Sequence, residues 1–386
     1  MEPMLPEIGH ADLGDLCIDL VGKASAFAGK LNPVVRQSVG HLVRSMNCYY
    51  SNLIEGHNTH LRDIDRAIAE NFSSEPEKRA LQKEAVAHIE VQKIIDAVHD
   101  PKCSPLSKEY ILWLHKEFCE RLPEELLWVN NPDTGEKIQV NPGMMRGGMV
   151  VVGKHIPPYP ENLDCFMERF NEAYAPEKLS KTTWILASAA AHHRLLWIHP
   201  FYDGNGRVAR LMSYATLRRL GIGSELWSVA RGLARNVGTY KKFLEAADEP
   251  RRGDLDGRGT LSHEALVNFC VFFLQTCLDQ IDFMENLLDF KTLSERIRIY
   301  VEEEIALKRL PKGSYALLRE ALLVGAFERG QAKELTGYKE RMARDVLADL
   351  LKKRFLVSDG PRAPVRLGFP IDVVERWFPQ LYPATK

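Results

Sequence analysis

Several things this 386-residue chain lacks narrow its reading before any motif is considered. It has no charge excess: 51 Lys and Arg stand against 52 Asp and Glu, a formal net charge of −1. No whole-molecule basic field therefore draws it to nucleic acid or to an anionic membrane surface. Its seven cysteines (Cys17, Cys48, Cys103, Cys119, Cys165, Cys270 and Cys277) are odd in number and scattered, with no CxxC pair. That excludes a zinc ribbon and a disulfide framework. The longest apolar run, "FCVFFLQTCL", is short for a bilayer span. The opening "MEPMLPEIGHADLGD" is acidic and contains proline, unlike a signal peptide. The expectation is a protein of a reducing cytoplasm with no membrane partner. Internal repeats and low-complexity tracts are missing too, and 45% hydrophobic with 27% charged residues is ordinary globular composition. The length allows two or three domains.

What is present is mostly helical punctuation. "NPVVRQSVGHLVRSMNCYYSNLIEG" places Val35, Val39, Leu42, Val43 and Met46 at three-to-four spacing and closes on Gly56. "THLRDIDRAIAENF", "EPEKRALQKEAVAHIEVQKIIDAV", "SKEYILWLHKEFCERL" and "GRVARLMSYATLRRLG" continue the amphipathic pattern. "KTTWILASAAAHHRLLWI", rich in Ala and Ser, predicts a helix buried by close neighbours. Its adjacent His192 and His193 lack the i,i+4 spacing of a zinc pair and are expected to be buried. Strand signals are scarce before residue 300. Within "EKIQVNPGMMRGGMVVVGKHIPPYP", Met149–Val152 is β-prone and is followed by breakers, which predicts a short hairpin over about 138–158. "DLDGRGTLSHEA" imitates a calcium loop. Arg258 and Ala265 stand where oxygen ligands are needed, so calcium is rejected.

Beyond residue 302 the pattern changes. The charged "EEEIALKRLPKGS" reads as the end of a linker helix, about 291–310. Three helical stretches follow, with Gly337 in a turn, and then two short extended runs around Asp-Gly-Pro. That order predicts a winged helix-turn-helix over 311–386. Residues 311–370 carry twelve Lys/Arg against seven Asp/Glu, a local +5. Lys339, Arg341 and Arg344 fall early in the recognition helix of such a fold. DNA binding and protein contacts fit equally, because Glu340 and Asp345 interrupt the basic face.

The chemistry is concentrated in "HPFYDGNGRVAR", His199–Arg210. If a helix begins near Gly206, Arg207 and Arg210 share one face of its first turn. The free N–H groups and dipole of that turn favour an anion. Gly204 and Gly206 let the backbone approach a phosphate closely, and Asn205 adds an amide donor. The two arginines suit several phosphates rather than one. Asp203 repels phosphate unless a cation lies between, a position that suits Mg²⁺. His199 can take a proton from an incoming hydroxyl near neutral pH. The set describes in-line transfer from a nucleotide to a hydroxyl.

This stretch matches the Fic family signature HPFx[D/E]GNGRxxR at every specified position, and the chain resembles that family over roughly residues 30–290. The resemblance implies a mainly α fold, a Fic-type helical bundle with a small β-hairpin flap. It implies transfer of AMP from ATP to a Ser, Thr or Tyr hydroxyl of a target protein. His199 would be the base, Asp203 the Mg²⁺ ligand, and Gly204, Asn205 and Gly206 the anion hole. Arg207 would hold phosphate, Arg210 the γ-phosphate, and Phe201 would pack in the core. "NPGMMRGGMVVVGKHIPPYPENL" looks like the family's target-docking flap, with Val152 and Gly153 bordering the nucleotide. Asn236 and Tyr240 resemble residues beside the base, or are a helix cap and a core tyrosine. "SNLIEG" resembles the family's inhibitory helix (about 33–56). Ser51 and Glu55 share a helical face, and Glu55 would pair with Arg210 and hold it from the γ-phosphate. On this reading residues 1–110 are an N-terminal helical region and 111–290 the catalytic core. Three alternatives stay open: another nucleotide or group transferred, AMP removed, or a nucleotide-sensing DNA-binding regulator built on a Fic core. A homo-oligomer is also open.

Overall fold

A computed structural model describes residues 1–7, 11–97, 103–131, 134–222 and 225–382. The chain divides into two compact units that do not follow chain order. One comprises residues 1–25, 47–224 and 228–280, and the other residues 26–46, 225–227 and 281–386. In chain order the first helices are α1 (Ala11–Lys30), α2 (Pro33–Ile54), α3 (Leu61–Ile68), α4 (Pro76–Ala97) and α5 (Lys108–Cys119). Strands β1 (Trp128–Asn130) and β2 (Lys137–Gln139) come next. Then come α6 (Leu163–Ala173), α7 (Lys181–Ile198), α8 (Asn205–Arg219), α9 (Val229–Arg235), α10 (Val237–Asp248) and α11 (His263–Leu287).

The first unit is built around α7 and α8, which pack on each other; α5 lies against α8, and α6 and α10 against α7. Ser180 starts α7 by accepting the Thr183 N–H at 3.1 Å. The alanine run of α7 then allows close approach on all sides, so Ala187, Ala189, Ala190, Ala191 and Leu195 are all fully buried, as are His192 and His193. On α8, Val208, Ala209, Leu211 and Met212 are equally buried. At about 25 cal/mol per Å² of apolar surface, this pair forms a rigid platform. Asp256 of the rejected calcium loop serves instead at the start of α11, where it accepts the Glu264 N–H at 2.8 Å. By length and composition α11 could cross a membrane. Its Leu266, Phe269, Cys270, Phe273, Leu274 and Cys277 are nonetheless all at 0% exposure, as in a core helix.

The expected hairpin differs in place. β1 and β2 pair antiparallel, Trp128 opposite Gln139. Met149–Val151 forms no strand. The chain then makes a tight turn in which Val152 and His155 exchange both backbone hydrogen bonds (2.9 and 3.0 Å), with Gly153 at φ 60°. Gly147, Gly148 and Gly153 interrupt the β-branched run too often for a ladder to propagate.

In the second unit, the expected linker is a regular helix, α12 (Phe290–Ala306), with Leu293, Ile297 and Val301 buried. It is followed by α13 (Ser314–Val324), β3 (Ala326–Phe327), α14 (Ala332–Thr336) and α15 (Glu340–Lys352). Strands β4 (Leu356–Val357) and β5 (Val365–Leu367) and helix α16 (Ile371–Trp377) complete it. The strands form one antiparallel sheet in the order β3-β5-β4. Gly337 closes α14 at φ 70°. The Arg329 guanidinium holds the loop between β4 and β5 through the Gly360 and Ala363 carbonyls, at 3.1 and 3.3 Å. Residues 383–386 of the expected C-terminal module lie outside the described residues.

Candidate active site

The site begins where α7 stops. His199 takes the left-handed conformation (φ 49°, ψ 61°), which a non-glycine residue holds only when its surroundings impose it. Its Nδ1–H donates to the Leu196 carbonyl at 3.3 Å, which leaves Nε2 as the accepting nitrogen. Burial lowers its pKa to about 4, so the ring is neutral and able to accept a proton at pH 7.

Two side chains outside the His199–Arg210 stretch hold the loop after His199, one of them, Arg146, in the segment that resembles the family's flap. Arg146, 2% exposed, donates to the carbonyls of His199, Gly148 and Pro158 at 2.8, 2.8 and 2.6 Å. It thereby ties the flap segment to the start of the motif. His115 is fully buried and lies flat on Phe201, ring centroids 3.8 Å apart. Its Nδ1 accepts the Gly143 N–H at 2.9 Å, so its Nε2–H faces the Asp203 carbonyl at 3.3 Å. Gly204 comes next at φ 85°, and α8 starts at once.

Asn205 holds the loop with its side chain, accepting the Phe201 N–H (3.0 Å) and donating to the Phe201 carbonyl (2.8 Å). Those two bonds shape the turn.

The two arginines of α8 have separate carboxylates. Arg210, 3% exposed, donates to Ser51 Oγ (2.9 Å), to the Ser51 carbonyl (3.1 Å) and to Glu55 Oε1 (2.5 Å). Burial opposes charge on Glu55, but Arg210 and Arg207 outweigh it and hold its pKa below the usual carboxylate value. Glu55 Oε1 lies so close over the first turn of α8 that a Cβ on Gly206 would collide with it. Arg207, 5% exposed, pairs with Glu84 of α4, which is 1% exposed, and lies 3.7 Å from Asp203 Oδ2. Glu84 Oε2 in turn accepts a hydrogen bond from His57 Nδ1 at 2.7 Å.

Beside this lies a cavity of about 420 Å³. Glu55, Val152, Gly153, His199, Gly206, Arg210 and Tyr240 line it, joined by His193, Lys241, Leu244, Glu245 and Asp248. The buried Tyr240 hydroxyl donates to His192 Nε2 (2.7 Å). His192 Nδ1 donates to Ser213 Oγ (2.8 Å), which donates to the Ala209 carbonyl (3.0 Å). Asn236 is exposed at the start of α10 and does not line the cavity, its amide only 3.4 Å from the Gly232 carbonyl. In the second unit, Lys339, Arg341 and Arg344 are exposed at the start of α15, and Arg344 pairs with Glu340.

Residues 105–217 match the Fic/DOC family model. The chain is 33% identical over 178 residues to a protein of Nematostella vectensis named Protein adenylyltransferase Fic, covering 45% of this chain and 37% of that one. It is 33% identical over 129 residues to the Drosophila erecta protein of the same name, covering 33% and 26%. It thus spans between about a quarter and little more than a third of the length of these curated relatives. The fold resembles a Fic family protein of Desulfovibrio desulfuricans G20 (TM-score 0.53, 16% identity, 94% of this chain and 98% of that one). It also resembles a Fic domain containing signaling protein of Bacteroides thetaiotaomicron VPI-5482 (TM-score 0.52, 19% identity, 70% and 95%).

Proposed function

We propose, from the premise that residues 105–217 form a Fic domain, that this chain is a protein adenylyltransferase. It would transfer AMP from ATP to a Ser, Thr or Tyr hydroxyl of a target protein and be held in check by Glu55. The observation that carries the reading is one cavity lined by a neutral His199, Arg210, the α8 N-terminal turn at Gly206 and a carboxylate already paired with Arg210. The curated relatives named for the activity support it.

His199 Nε2 accepts the proton of the target hydroxyl as its oxygen attacks the α-phosphorus, whose bond to the α,β-bridging oxygen breaks so that pyrophosphate leaves. Arg207, Arg210 and the N–H groups at the start of α8 stabilise phosphate charge. Asp203, half-exposed beside the anion-binding turn, suits Mg²⁺, which takes few protein carboxylates and fills its shell with phosphate oxygens and water. No cluster of three or more His, Cys, Asp or Glu suited to an all-protein metal cage occurs among the described residues, which agrees with that arrangement. When bound, the ion would neutralise phosphate charge. The exposed edge of Met149–Val152 suits a target segment added as a strand. With Glu55 on Arg210, the γ-phosphate loses its cation and the α-phosphate is misaligned for attack.

For the second unit we propose a winged helix, supported by the helix order, the three-stranded sheet and the Arg329 clasp on the β4–β5 loop. Its exposed Lys339, Arg341 and Arg344 suit DNA or an acidic protein surface.

The test is incorporation of α-labelled ATP into protein with Mg²⁺ for wild type, Glu55→Gly and Glu55→Gly/His199→Ala. Label in Glu55→Gly that disappears in the double variant supports transfer, base and brake together. No label in any of them, with cell lysate supplied as target, removes the reading in favour of another transferred group or a nucleotide-sensing regulator.

A further inference from the structure

We propose that His57 and Glu84 are positioning residues that keep Glu55 seated on Arg210, a reading that rests on Glu55 being the brake. Helix α2 ends at Ile54, and the chain turns at Gly56 with φ 88°. Backbone bonds bind this end only to itself: Glu55 N and His57 N reach the Asn52 carbonyl at 3.1 and 2.9 Å. A carboxylate on the last residue before a glycine hinge is not fixed by such bonds alone. Before Glu55 the fixed point is Ser51, whose hydroxyl and carbonyl accept from Arg210. After it the fixed point is His57, whose Nδ1–H donates to Glu84 Oε2 at 2.7 Å.

Glu84 suits this task because it cannot move easily. It sits on α4 at 1% exposure, and its other oxygen pairs with Arg207, itself 5% exposed. Arg207 Nη2 lies 3.2 Å from His57 Nδ1, so one carboxylate gathers both groups. His57 is thus anchored to a buried ion pair, while Glu55, two residues earlier, keeps a side chain 31% exposed. Removing the anchor frees the hinge and lets Glu55 leave Arg210 more often.

The experiment compares wild type, His57→Ala, His57→Gln, Glu55→Gly and His57→Ala/Glu55→Gly. It reads transfer from α-labelled ATP and, without nucleotide, hydrogen exchange across residues 51–57. For His57→Ala, transfer and exchange in that segment should each rise about tenfold. His57→Gln, whose amide can donate to Glu84, should behave as wild type, and the double variant should transfer no faster than Glu55→Gly. Unchanged exchange in His57→Ala, exchange that rises equally throughout α7 and α8, or a further rate gain in the double variant would overturn the proposal. If Glu55→Gly transfers nothing, the adenylyl-transfer reading fails and the exchange comparison alone decides the anchor.

Discussion

Arg207 and Arg210 stand three residues apart on the same helix, yet their carboxylates differ in kind. Glu84 is buried at 1% exposure, comes from the middle of α4 and is shared with His57. Glu55 has a side chain 31% exposed and follows the end of α2, next to a glycine. A buried pair that loses one partner strands a charge, whereas a partly exposed carboxylate can be replaced by water or by an incoming anion. Identical chemistry therefore yields a fixed support at Arg207 and a removable contact at Arg210. What separates them is the burial and chain position of the partner.

The strongest test of this contrast is Glu84→Ala, which should cost about 3 kcal/mol by leaving the buried Arg207 with only the half-exposed Asp203, 3.7 Å away, as a partner. A melting temperature close to wild type would erase the distinction. Glu55→Ala should cost less, at most about 2.8 kcal/mol, the pairing preference of a hundredfold brake. It should raise transfer roughly a hundredfold, corresponding to about 2.8 kcal/mol of preference for the paired state. Thermal melts and initial rates on the same preparations check both halves.

Gly206→Ala sharpens the comparison from the helix side. Its Cβ would meet Glu55 Oε1, so the substitution should lower stability by about 1–3 kcal/mol in wild type. In a Glu55→Gly background only Arg210 Nη1, 3.1 Å from that Cβ, stays close, and alanine is the better helix former, so the same change should cost clearly less. Paired melting curves decide it.

Stability should also depend on pH. Burial lowers the pKa of His88 and His192 to about 3 and of His115 to about 4. These rings are neutral when folded, while the unfolded chain binds protons below about pH 6.5. Their stabilisation is complete above that value and is lost as pH falls through 6.5 towards 4, by about 1.4 kcal/mol per unit for each ring. His57 works the other way. Its hydrogen bond to Glu84 raises its pKa, so its contribution is present at low pH and lost as pH rises through the folded value. His199, lowered to about 4 by burial, adds to the first group, so with four such rings against one, melting at pH 5.5 should lie below that at 7.5.

Legibility tracked the range of the interactions. Ser51 and Glu55 could be read as one helical face because α2 puts them there. His115 could not, because an isolated histidine in "LHKEF" carries no pattern of its own, and the flap-like segment places Arg146 without saying which carbonyls it holds. Their meaning comes from Gly143, Asp203, His199 and Pro158. Asn205 shows a subtler limit, since spacing cannot tell whether an amide faces a ligand or its own loop. The strand expected at Met149–Val152 failed because β propensity needs a partner strand, and the nearby glycines leave only a turn.

By itself the sequence determined the helical class and the glycine-led start of α8 with Arg207 and Arg210 on one face, since helix spacing, glycine freedom and charge act within a few bonds of the residues concerned. Only the tertiary structure decided which carboxylate meets which arginine. Glu84 and Glu55 lie far along the chain from α8, and the cost of stranding a charge in the core is set by burial rather than by order in the chain.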